Sequence, residues 1–87
     1  MKPFVVSYDL DKPGQDYSGL VNRLKQHGAT RIQYSQWVLR STWTAMQLLN
    51  DLGAYLDSND RILVVQVAGD WAYRNLMGGQ AFKEAAA

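Results

Sequence analysis

The sequence predicts a two-layer α+β domain, with helices packed on an antiparallel sheet. Three observations predict it. Two stretches carry apolar residues at helical spacing: Tyr17, Leu20, Val21 and Leu24, then Ala45, Leu48, Leu49, Leu52, Tyr55 and Leu56. Two short runs, Phe4 to Tyr8 and Ile62 to Ala68, are rich in β-branched and aromatic residues. Between the helical stretches, "ATRIQYSQWVLRST" lacks helical spacing and reads as strand.

Taken in order, Phe4-Val5-Val6-Ser7-Tyr8 is bounded by Pro3 and by the polar segment Asp9 to Gly14. It is apolar on both faces, which predicts a central strand. Asp16 suits the N-cap of the helix that follows, and Gly28 stands where a helix C-terminus favours glycine. Gly19 weakens that helix by about 1 kcal/mol relative to alanine. Arg31 to Tyr34 and Gln36 to Arg40 read as two strands meeting near Ser35, with one long bent strand as the rival. Thr42 or Thr44 caps the second helix, and Ser58-Asn59-Asp60 ends it. Ile62 to Ala68 is the strongest strand signal. After Gly69-Asp70, "WAYRNLM" fits a fifth edge strand or a short helical turn. Residues 78–87, "GGQAFKEAAA", read as a flexible C-terminal tail, which leaves residues 1–77 as the domain.

The order strand, helix, strand, strand, helix, strand is a ferredoxin-like βαββαβ sandwich. Right-handed crossovers put the first and third strands at its centre. Two helices cover one face of such a sheet, yet the first and last strands are apolar on both. The second face therefore predicts a covering partner, and a twofold homodimer supplies one. Val5, Ser7 and Val65 fall in that predicted interface, extended by Trp71 and Tyr73.

Composition bounds the chemistry. At 87 residues the chain buries roughly 60–65% of its unfolded surface. With no Cys, disulfides are excluded, and with His27 the sole histidine a zinc site lacks ligands. No sequence feature points to an organic cofactor. No charged-then-apolar leader opens the chain, and no run approaches the ~20 apolar residues of a membrane helix, so a soluble cytoplasmic protein is expected. A net charge of +1 is not the strong basic bias of a dedicated nucleic-acid binder. Seven of the eight acids are Asp, a residue of caps and turns.

Among candidate sites, "DKPGQ" has no Gly-Lys-Ser/Thr and reads as a Pro-Gly turn, not a phosphate loop. His27 near a helix C-terminus reads as a surface residue complementing the dipole, and no serine has a neighbouring base. Arg23, Lys25, Arg31 and Arg40, interleaved with Tyr34, Trp37 and Trp43, form either a nucleic-acid-binding patch or scattered solvated charges around core aromatics. Asp9 closes the first strand as a metal-binding or catalytic carboxylate or as a turn residue; Asp11 and Asp16 read as caps.

The strand end Val6-Ser7-Tyr8-Asp9-Leu10, with "RIQYSQWVLRS" and its Gln33-Tyr34-Ser35 element, resembles the small CRISPR-associated adaptation proteins of the "second Cas" fold. "SYDLDKPGQDYSGL", "STW" at 41–43 and "LDSNDRILVVQV" are similar to the bacterial group labelled SinR-like, over roughly residues 4 to 73. The resemblance implies a face-to-face homodimer whose two Asp9 carboxylates approach and hold Mg²⁺ or Mn²⁺, catalytic groups of a metal-dependent endonuclease acting on RNA or DNA. The alternatives are a catalytically silent scaffold and a toxin-like interaction module. Strand alternation puts Asp9 on the face of Val5 and Ser7, with Phe4, Val6 and Tyr8 towards the helices. The nuclease-like relatives often have a basic start to the first helix, where "DKPGQDY" offers Lys12 alone beside Asp11 and Asp16.

Overall fold

The computed structural model describes residues 1–11 and 16–87. Four strands, β1 (Lys2–Asp9), β2 (Thr30–Gln33), β3 (Gln36–Ser41) and β4 (Arg61–Gln66), form one sheet in the order β2-β3-β1-β4. Every neighbouring pair is antiparallel. With α1 (Ser18–Gln26) and α2 (Ala45–Gly53) this is the ferredoxin-like arrangement, with β1 and β3 at the centre. The Pro-Gly turn expected at residues 13–14 lies outside the described residues.

Alternation along β1 builds the main core. Phe4, Val6 and Tyr8 are buried with Trp37 and Leu39 of β3, Leu20 and Leu24 of α1, and Leu48 and Leu52 of α2. Ile62 and Val64 of β4 pack against the same cluster. The polar tips inside it find each other: Trp37 Nε1 donates to Tyr8 Oη at 3.0 Å.

Recognisable local chemistry closes α1 and opens α2. Gly28 (φ 78°) follows α1 in the left-handed region; its N–H donates to Lys25 O and the Ala29 N–H to Leu24 O, satisfying two carbonyls at the helix end. At α2, Thr44 accepts from the Gln47 N–H while the Gln47 side chain accepts from the Thr44 N–H, a reciprocal capping box. Asp16 caps one residue earlier than expected: Tyr17 holds the N-cap position, and Asp16 Oδ1 accepts the Ser18 N–H at 2.9 Å.

The second face departs from expectation. Among the described residues there is no fifth strand; the chain from 67 to 78 is irregular, and Asn75 takes φ 55°. The expected flexible tail is instead a helix, α3 (Gly79–Ala86), lying on β2 and β3. Phe82 and Ala85, three residues apart, are buried against Ile32 and Val38. An eight-residue helix is marginal alone, so this packing holds it. Trp71 and Tyr73 stack with centroids 6.0 Å apart and meet Phe82 edge-on. Gly78 docks the helix start directly on the sheet, its N–H donating to Ile32 O at 3.1 Å.

The domain therefore runs through α3, and the second face is half covered from within the chain. Val5 packs beneath this second cluster. Trp71 and Tyr73, expected to extend towards a partner, pack on their own Phe82. What stays open is the β4 side, where Leu63 and Val65 are 57% and 41% exposed.

Candidate functional site

Asp9 is the last residue of β1, and the register aligns three cross-strand pairs on the second face: Val5 with Val65, Ser7 with Leu63, Asp9 with Arg61. The row runs from apolar under α3 to charged at the open end. Asp9 Oδ2 accepts from Arg61 Nη1 at 3.0 Å, with side chains 73% and 82% exposed. So exposed an ion pair is worth about 0–1 kcal/mol, and it leaves the carboxylate reachable. Asp9 is thus where alternation placed it, on the face of Val5 and Ser7. Among the described residues no three or more His, Asp or Glu side chains are grouped to hold a metal ion. As a hard oxygen donor Asp9 suits Mg²⁺ or Mn²⁺, but one chain brings one such carboxylate and sets Arg61 on it.

The four basic candidates do not form one patch. Arg23 grips Asp51 with two bonds, Nε to Oδ2 at 2.7 Å and Nη2 to Oδ1 at 3.0 Å. Arg40 points to the far face and donates to Ala85 O, Ala87 O and Met1 O, closing the C-terminal end of α3. Only Lys25 and Arg31 share a surface, a cavity of about 330 Å³ that Trp37 also lines. Arg31 lies 4.8 Å above the Trp37 ring. The separation was readable in principle, because alternation in β3 sends Val38 and Arg40 to the face opposite Trp37 and Leu39. Tyr34 is exposed at the β2–β3 turn, and Trp43 packs edge-on against His27 with centroids 5.0 Å apart.

His27 is also not the surface residue expected. Its side chain is 10% exposed, and Nε2 lies 2.7 Å from Asp51 Oδ2. Since a carboxylate only accepts, Nε2 carries the hydrogen. The bonds from Arg23 and then from His27 hold the Asp51 carboxyl down at about 2, against an ordinary 3.8. An unfolded chain takes up a proton at Asp51 more readily than the folded one. The clamp therefore contributes its full stability above about pH 4 and loses it as pH falls towards 2. In urea titrations the wild-type midpoint falls across that window, whereas Asp51→Asn starts lower at pH 7 and lacks this part of the acid slope.

The sequence also passed over Asp60, taken as the end of α2. Its Oδ1 accepts the Asp11 N–H at 2.7 Å and the Tyr17 hydroxyl at 3.1 Å, and its Oδ2 accepts the Asp57 N–H at 2.8 Å. This carboxylate ties the chain after β1 and the start of α1 to the turn before β4. Asp16 is likewise structural: the hydrogen bonds from Ser18 hold its carboxyl below the ordinary value.

No protein-family model matches the chain. The crystal structure of a hypothetical protein, TT1823 from Thermus thermophilus, is similar in fold, with a TM-score of 0.63 and 25% sequence identity over 85% of this chain and 90% of that one. Among the described residues no helix is long and apolar enough to cross a membrane.

Proposed function

We propose that this chain works in the cytoplasm as a nucleic-acid-associated homodimer, a metal-dependent endonuclease whose paired Asp9 carboxylates hold Mg²⁺ or Mn²⁺. One observation carries the reading. The half of the second face that α3 leaves open is the half that ends in an exposed Asp9, with Leu63 and Val65 beside it. A second copy laid on those apolar side chains across a twofold axis brings the two acids towards each other. Their shared cation would polarise a phosphodiester and activate water. The resemblance to the SinR-like group and the "second Cas" proteins supports the same arrangement.

Arg61 favours a second reading, in which the dimer is a catalytically silent scaffold. A guanidinium already on Asp9 competes with a cation for that carboxylate. The test is cleavage of RNA and DNA with Mg²⁺, Mn²⁺ or chelator, comparing wild type with Asp9→Asn. The nuclease reading expects metal-dependent cleavage that falls on the order of 100-fold in the variant. Cleavage untouched by Asp9→Asn sinks it, and binding without cleavage under every condition selects the scaffold.

A further inference from the structure

We propose that a second cavity, on the α3 side of the sheet, binds a single nucleotide, its base inside and its phosphate on Arg74. The inference rests on the nucleic-acid reading above and gives it a contact point whose lining does not include Asp9. The cavity is about 300 Å³, at the small end of the roughly 300–1,000 Å³ usual for ligand pockets, which suits one base rather than several.

Its lining combines three chemistries. Tyr73, Leu76 and Phe82 give apolar and aromatic walls, on which a planar ring packs well. Gln33 and Gln36 supply a polar edge. Gln33 Nε2 donates to Gln36 Oε1 at 2.8 Å, and Gln36 Nε2 to Ser7 Oγ at 3.4 Å. These bonds fix both amides yet use only one N–H of each, leaving donors and acceptors side by side. Such an edge is complementary to the donor and acceptor edge of a base.

Arg74 supplies the third. Among the described residues it forms no hydrogen bond or ion pair, whereas Arg23, Arg40 and Arg61 are all engaged. Asn75 beside it takes φ 55°, in the left-handed region, between two residues that both line the cavity. A planar guanidinium on a residue that lines the cavity matches a phosphate. Lys83, 5.9 Å from the Tyr73 ring, adds a second positive charge nearby. Ring, pairing edge and anion together describe a nucleotide. A free mononucleotide and an unstacked residue of a single strand share that chemistry.

The test uses the full chain. Binding of labelled single-stranded RNA and DNA is followed by anisotropy, and binding of the four 5′-mononucleotides by NMR of the Gln33 and Gln36 side-chain amides. Arg74→Ala and Gln36→Leu are compared with Arg31→Ala in the other cavity. The site expects mononucleotides to shift those amides, and Arg74→Ala to weaken binding about tenfold while Arg31→Ala leaves the mononucleotide untouched. Strand binding that neither pocket variant alters overturns the site and leaves the nucleic-acid reading standing. Mononucleotide binding without strand binding supports the site and removes that reading. No binding of either probe overturns both.

Discussion

Gly78→Val is expected to strip α3 from the sheet and to destabilise the protein by roughly 2–4 kcal/mol, the scale of lost Phe82 burial. The argument is steric. A Cβ at Gly78 would stand 2.5 Å from Arg31 O and 2.7 Å from Ile32 Cα, closer than real contacts allow. Both are backbone atoms of β2, so no side chain can swing aside. The helix start must retreat, which breaks its bond to Ile32 O and lifts Phe82 and Ala85 from Ile32 and Val38. Urea titration should show a lower midpoint. Its slope should be shallower as well, because the variant's native state already exposes that surface. Cleavage after Lys83 should become fast under native conditions. A variant with wild-type slope and a protected Lys83 would mean that α3 is held by something other than this close approach.

Leu63→Arg is expected to leave the fold within about 0.5 kcal/mol of wild type, since the side chain is 57% exposed, while weakening self-association on the order of 100-fold. The proposed dimer covers Leu63 and places like charges near one another across the twofold axis. Sedimentation equilibrium over a wide concentration range reads both proteins directly. A wild type that stays monomeric throughout, or a variant that pairs as tightly, removes the second copy and with it the meeting of the Asp9 carboxylates.

The sheet and its main core were legible because their signals are local. β1 alternates around Phe4, Val6 and Tyr8, α2 carries a leucine stripe with its own capping box, and Gly28 marks the end of α1. Asp9 was placed on its face by the same alternation. α3 was illegible for the converse reason. Its stripe is one phenylalanine among alanines, and the surface that stabilises it, Ile32 and Val38, lies more than forty residues earlier in the chain. Gly78 read as the start of a flexible tail, whereas its missing side chain is what admits the helix. The basic residues were grouped by nearness in sequence. Ion pairing then took Arg23 to Asp51, and strand alternation took Arg40 to the other face. Asp60 has no sequence signature, because its partners at 11 and 17 come from the far side of the sheet's connections.

That one carboxylate has a kinetic consequence. It fastens the exit of β1 and the entry of α1 to a turn that is synthesised more than forty residues later. These ties on the first crossover therefore cannot form until the turn before β4 has been made, which disfavours early, self-contained maturation of the N-terminal half. In the finished protein the same knot makes two remote stretches breathe as one, so deuterium should enter the Asp11 and Asp57 amides in step.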